Sequence, residues 1–410
     1  MKVPELLSPA GNADALKAAL HYGADAVYGG MKNYGLRSFA GNFGPEELRE
    51  AVSLTHEAGK KFYVTMNASP FDDELEGFLD AAETAAATGV DALIVSDPGA
   101  ILMLREHLPD VSIHVSTQAN TLNTPSAAMY RDMGCERVIL AREMSLDRIR
   151  SMHDRLGDSI QLETFVHGAS CMAYSGRCML SAYLTGRSAN RGACAQPCRW
   201  QYHVTEEKRP GEYLPVAEDE RGTYLFSAKD LCLMSLLPDL TAAGVASLKI
   251  EGRMKTAYYV AVVTGAYRRA LDLLAEDRKL FDAALPDLLA EVRCASHRDS
   301  DTGFLLGNPP EPGEAEGFHQ DREFLATVTG ERDEEGRYPL LLKNRFFAGD
   351  TLELMMPGKI ESFTAESFVR VKTGETLNTL GIAGEEIRMT LPEGAGTGDM
   401  LRGPVRNHRQ

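Results

Sequence analysis

From its start to about Leu274, the chain repeats one pattern eight times: a short apolar run followed by an amphipathic stretch. The runs are Glu5–Ser8, Asp25–Gly29, Lys61–Asn67, Ala92–Asp97, Ser112–Gln118, Arg137–Ala141, Gln161–Val166 and Ser247–Glu251. Their Val, Ile, Leu and aromatic content suits parallel strands buried on both faces. Between them lie helical patterns such as Asn12–Tyr22, Pro45–Ala58, Asp72–Thr88, Pro125–Met133 and Leu146–Leu156. Gly23, Gly59, Gly89 and Gly134 follow several of these, where helix stops belong. Such alternation means βαβ units, and eight of them predict an α/β fold, a (β/α)8 TIM-like barrel. A doubly wound open sheet is the alternative. No GxGxxG follows the first strand, which weakens its dinucleotide-binding form.

A barrel of this kind carries its chemistry at the C-terminal strand ends and in the loops beyond them. Those positions are polar here: Ser8 to Asn12, Asn67, Ser96-Asp97, His114 to Gln118, Arg142-Glu143, His167-Gly168, and Lys249 to Arg253. Helix caps and rim hydrogen bonds account for some of them. A wholly structural ring of this composition is not expected. The longest insertion, residues 169–232, follows the seventh strand and so hangs over the same face.

The remaining chain differs in pattern. A helical run from Lys255 through Leu274 precedes residues 295–322, which are rich in Gly, Pro, Asp and Glu and read as a linker. Residues 1–294 therefore form the barrel domain. Residues 323–410 carry short alternating runs (Phe324–Thr329, Tyr338–Leu342, Thr351–Met355, Phe363–Val371, Glu386–Leu391) with turns such as Pro357-Gly358. They predict a small all-β barrel domain ending in a basic tail, Arg402 to Arg409, either solvated or touching phosphate. A net charge of −16 argues against binding to bulk nucleic acid or an anionic membrane, though not against a local basic cleft. No apolar run is long enough for a leader or a membrane span, so a cytoplasmic protein is expected.

Four of the seven cysteines fall within Glu163–Trp200: Cys171, Cys178, Cys194 and Cys198. Outside a disulfide-forming compartment, clustered cysteines point to a metal, a cluster or a reactive thiol. The spacing Cys171-x6-Cys178-x15-Cys194-x3-Cys198 is neither a zinc ribbon nor a bacterial ferredoxin pattern, so it indicates a soft-metal site of open type. Cys232 is the candidate fourth ligand from outside, because its segment leads back to the barrel. Cys135 and Cys294 read as core or surface residues.

The pattern Glu163-x-Phe165-x-x-Gly168-x-x-Cys171-x4-Gly176-x-Cys178-x-x-Ser181 resembles the signature of the U32 peptidase-like family. Leu7-Ser-Pro-Ala-Gly11, Ser116-Thr-Gln-Ala-Asn120, Asn190-Arg-Gly-x-Cys194-x-Gln-x-Cys198-Arg199 and Lys249-Ile-Glu-Gly-Arg253-Met-Lys255 are similar to that family too. The resemblance covers the barrel and, more loosely, the β-domain, and it is strongest to the branch that hydroxylates tRNA. It implies an oxygen-independent, prephenate-dependent hydroxylase forming 5-hydroxyuridine at the wobble position of a tRNA anticodon loop. It also implies a [4Fe–4S] cluster on Cys171, Cys178, Cys194 and Cys232, with Cys198 as the alternative third ligand, and an unidentified electron donor. Other branches act on ribosomal RNA or a small aromatic molecule.

Prephenate, a dianion, would need cations. Arg142, Arg177, Lys249 and Arg253 are the candidates, with ion pairing to Glu143, Glu163 or Glu251 as their competing role. His167, Glu251 and Glu163 are the proton-transfer candidates. Asn67 and Gln118 could hydrogen-bond the edge of a splayed uracil. The older family label, a collagenase-like peptidase, finds neither an HExxH helix nor a GxSxG elbow here. A nonenzymatic RNA-binding role is the third class.

Overall fold

The computed structural model describes residues 3–36, 41–170, 178–189, 192–199, 217–219, 222–224, 229–307, 318–380 and 383–406. Seven parallel strands come first: β1 (Glu5–Pro9), β2 (Ala26–Gly30), β3 (Lys61–Met66), β4 (Ala92–Val95), β5 (Ile113–Val115), β6 (Arg137–Ile139) and β7 (Gln161–Ala169). Each pairs with the next, and an eighth strand, Ser247–Ile250, pairs with both β7 and β1 to close the ring. The fold is thus the (β/α)8 barrel that the alternation predicts. Strands β2 and β4 are buried along their whole length, as the wall of a helix-clad barrel requires.

Several strand-end polar residues turn out to be caps. Asn12 accepts the backbone N–H of Ala15 and opens the helix Ala13–His21. Asp97 does the same for Pro98–His107 through Ala100. Strand β5 ends at Val115, earlier than its sequence suggests. The Ser116 hydroxyl accepts the N–H of Gln118 and turns the chain into the short 3-10 segment Thr117–Ala119.

Strand β7 runs on to Ala169. Its extension is held by the strand Asp230–Cys232, which pairs with it antiparallel and sets Cys232 opposite His167. Ser300–Asp301 then adds to the outside of Asp230–Cys232, and the Arg298 guanidinium donates to Asp230 at 2.7 Å, with both side chains buried. The stretch expected to be a linker is therefore, over residues 295–307, a strap that fixes the Cys232 strand against the barrel.

The C-terminal unit is an eight-stranded antiparallel sheet built from Arg322–Val328, Tyr338–Leu342, Thr351–Met356, Lys359–Thr364, Phe368–Arg370, Thr376–Leu377, Glu386–Met389 and Met400–Pro404. It encloses its own core around Leu340, Phe346, Phe368 and Ile387. Arg402, at the head of the expected basic tail, is buried and donates to both oxygens of Glu291 at 2.6 and 2.7 Å. Its Nε meets Glu353 at 2.7 Å. Arg406 pairs with Asp350. These two arginines pair with carboxylates of the protein. Stacking of Tyr258 on Phe324, at 5.1 Å between ring centres, further ties barrel to sheet.

Candidate active site at the barrel mouth

Charge inside the barrel is arranged in two levels. The lower level begins where the strands begin. Glu5 accepts from Arg137 at 2.6 Å, from Tyr63 at 2.8 Å and from Ser247 at 3.0 Å. Arg137 also reaches Glu163 at 3.0 Å, and Lys249 holds the other Glu163 oxygen at 3.0 Å. Glu163 is fully buried with both oxygens engaged. Burial alone would raise its carboxyl, but Lys249 and Arg137 outweigh that and hold it below the usual value. Lys249 is pulled down by burial, which Glu163 offsets only in part. Its ammonium lies 4.3 Å from the Tyr28 ring centre. His114, edge-on to Tyr63, is kept neutral by burial and then by Arg137 and Lys249. A cavity of about 570 Å³ opens at this end, lined by Glu5, Lys61, Arg137 and Gln161 among others. It lies on the face where such barrels carry stability rather than chemistry.

The upper level lies at the C-terminal ends. The rise along β3 separates the two: Tyr63 reaches down to Glu5, and Thr65, two residues on and on the same face, accepts from Arg253 above. Arg253 is buried, and Gly30 makes room for it. A methyl group on Gly30 would sit 2.1 Å from the Arg253 Nη1. Across the mouth, the Arg142 guanidinium lies 4.1 Å from the centre of the Phe165 ring and 3.6 Å from the Glu251 carboxylate. Both partners of that pair retain 14% side-chain exposure. Asn67 is tied at both ends, donating to Ser116 Oγ at 3.2 Å and accepting from Leu36 N at 3.2 Å. Gln118 sits half-buried in the turn after β5. Buried Oε2 of Glu143 and Nδ1 of His114 find no hydrogen-bond partner among the described residues.

His167 lies behind the mouth, on the stretch of β7 that outruns the barrel. The register between β7 and the closing strand slips between Lys249 and Ile250, so that Ile250 meets His167. A bulge of this kind re-aims side chains. The imidazole packs between Tyr259 and Tyr267, with ring centres 6.2 and 5.5 Å away. Burial brings it down to about 4, against the weaker pull of Asp230, so it is neutral near pH 7. Gly168 follows with φ +102°, and any Cβ there would stand 2.4 Å from the Glu251 carbonyl oxygen, so only glycine lets β7 run this close to the chain beyond the closing strand. Cys232, opposite His167, is half-buried, and burial raises its thiol.

The expected site residues thus fall into separate groups. Arg142, Glu251 and Arg253 line the mouth, with Asn67 and Gln118 on the β3 and β5 sides. Glu163 and Lys249 belong to the level beneath, and His167 to the outer flank with Cys232. Cys171 and Arg177 lie outside the described residues. Cys178, Cys194 and Cys198 are all partly buried, and Cys194 Sγ accepts the N–H of Gln196 at 3.4 Å. Cys135 and Cys294 are buried, and burial pushes each thiol up to about 11, as core residues. Among the described residues, no three His, Cys, Asp or Glu side chains gather as a metal cage. Thr65, Gly30, Tyr259 and Tyr267 escape notice in the sequence. The tyrosines, eight apart on the helix Ala257–Glu276, look like ordinary core positions.

Residues 11–314 match the model of peptidase family U32, and residues 320–402 match that of the U32 C-terminal domain. The chain is 38% identical to tRNA hydroxylation protein P of Escherichia coli, over 95% of this chain and 94% of that one. It is 38% identical to tRNA hydroxylation protein P1 of Bacillus subtilis, over 88% and 86%. A 23S rRNA 5-hydroxycytidine C2501 synthase of E. coli is 41% identical over 67% of this chain and 40% of its own. No helix among the described residues is long and apolar enough to cross a membrane.

Proposed function

Because the chain belongs to peptidase family U32, over both the main and the C-terminal domain, we propose that it is an RNA-modifying hydroxylase. It forms 5-hydroxyuridine at the wobble position of tRNA, without molecular oxygen, and it uses an iron–sulfur cluster with prephenate as co-substrate. Near-full-length likeness to tRNA hydroxylation proteins supports the substrate class. One structural observation carries the chemistry. The strand Asp230–Cys232 lies along the end of β7, so a cysteine from far along the chain meets the segment that leads into Cys171.

The cysteine thiols present support the reading of a [4Fe–4S] cluster. Cys178, Cys194 and Cys232 are free thiols, and thiolates are the ligands that such clusters take. Cys194, whose Sγ accepts the N–H of Gln196, is taken as the third ligand, with Cys198 as the alternative. When bound, the cluster supplies a path for electrons, to or from a donor that is still to be identified. The protein's own groups bind and orient. Arg253 and Arg142, on opposite sides of the mouth, suit the two carboxylates of prephenate. Phe165 offers a ring beneath Arg142, and Gln118 is placed to meet a splayed base. Glu251 is the proton-transfer candidate, partly exposed and beside Arg142. Glu163 and Lys249 hold the floor of the site, and His167, neutral and enclosed, is a positioning residue.

A cysteine peptidase needs a thiol pushed down by a base. Burial moves Cys232 the other way, and His167 packs against tyrosines. Nucleoside mass spectrometry of tRNA from a deletion strain tests the proposal. Loss of 5-hydroxyuridine derivatives, restored by the intact gene, is expected. Unchanged tRNA with a lost 5-hydroxycytidine in ribosomal RNA would transfer the activity to that substrate.

A further inference from the structure

The hydroxyl of Tyr267 sits where three groups of the β7 flank converge. It donates to the Val166 carbonyl at 2.8 Å, lies 3.4 Å from His167 Nδ1 and is 4.0 Å from Cys232 Sγ. The Val166 carbonyl has a second donor, the Leu233 N–H, also at 2.8 Å. This doubling has a physical consequence. If the Tyr267 proton turns away from Val166, the carbonyl keeps a hydrogen bond, so the turn leaves no buried acceptor unsatisfied. A Cys232 that loses its proton on binding iron becomes a half-buried anion, which needs donors. The backbone N–H of Met234 is one, and the Tyr267 hydroxyl, 4.0 Å from the sulfur, is another. His167 Nδ1–H can then donate to the phenol oxygen, completing a chain from imidazole to phenol to sulfur.

We propose that Tyr267 is a positioning residue for the cluster: its hydroxyl turns from the Val166 carbonyl to the Cys232 thiolate when iron binds, and that hydrogen bond sets the cluster's reduction potential. The inference rests on the reading that Cys232 is a cluster ligand. Its direction follows from charge. A hydrogen bond to a ligand sulfur stabilises the reduced, more negative cluster, so it raises the potential.

Tyr267→Phe removes the hydroxyl and leaves Val166 bonded to Leu233. Anaerobic dithionite titration of the intact protein, followed by visible absorption and electron paramagnetic resonance, should show full iron content and a midpoint shifted to more negative potential. In the wild type, resonance Raman iron–sulfur stretches should shift between H2O and D2O, and in the variant this shift should shrink. The Raman comparison of the wild type stands even where the variant folds poorly. Iron bound with an unshifted midpoint and no solvent-isotope effect would overturn this inference alone. Absence of iron from the wild type would overturn both it and the cofactor reading beneath it.

Discussion

The two charged levels of the barrel are built from similar residues and behave differently. Below, Glu5, Arg137, Glu163 and Lys249 match charge for charge, with contacts of 2.6–3.0 Å, and Arg137, Glu163 and Lys249 keep no more than 5% side-chain exposure. Above, Arg142 and Glu251 stand 3.6 Å apart and partly exposed. Removing one partner of a buried, hydrogen-bonded pair strands the other in a medium that cannot solvate it. A partly hydrated pair can trade partners at little cost. The lower level is therefore a fixed floor, and the upper one is where an anionic substrate can compete for a cation.

The largest effect should come from breaking the floor. Glu163→Gln or Lys249→Met should cost about 3–5 kcal/mol in urea unfolding. The double variant should cost less than the sum of the two. A loss below about 1 kcal/mol would place Glu163 among exchangeable groups and erase the distinction between levels.

Acid should reveal the enclosed flank next. His167 is down at about 4 in the folded protein against an ordinary 6.5. The unfolded chain thus takes up its proton first, and stability falls as pH drops from 6.5 toward 4. The full loss is on the order of 3 kcal/mol. Thermal melts across that range, compared with His167→Asn, isolate its share. An unchanged slope in the variant would assign the acid sensitivity elsewhere.

At the mouth the pattern should reverse. Arg142→Ala should cost about 1 kcal/mol of stability or less, yet reduce tRNA hydroxylation by about 100-fold if the guanidinium binds a carboxylate. Gly30→Ala puts a methyl 2.1 Å from Arg253 Nη1 and 2.9 Å from Thr65 Oγ1. Overpacking of this kind should cost about 1–3 kcal/mol while hydroxylation falls about 10-fold or more, and Arg253→Lys should not restore it. Equal losses of activity and stability in both variants would make the mouth a structural level like the floor.

Much of this plan is legible in the sequence. All eight barrel strands can be read from apolar runs, because parallel strands buried on both faces leave a strong local signal. The polar ring at their ends follows from the fold. Height within the barrel does not. Glu163 lies in the signature near a strand end, but β7 runs three residues beyond Val166, and this places Glu163 on the floor. The overrun exists because Asp230–Cys232 and Ser300–Asp301 pair outside it, contacts between segments distant in sequence. For the same reason residues 295–307 pass for a linker: their role depends on Asp230. Tyr267 is hidden differently, since a buried helical tyrosine reads as core until its hydroxyl's neighbours are known.

The proposed function requires that cysteines at the C-terminal face of the barrel hold a redox cluster. Iron and sulfide analysis of the intact protein, purified without oxygen, together with its visible spectrum, tests it most directly. A brown protein is expected, with broad thiolate-to-iron absorption that Cys232→Ala bleaches. A colourless protein carrying zinc, with the same metal content after Cys232→Ala, would contradict it.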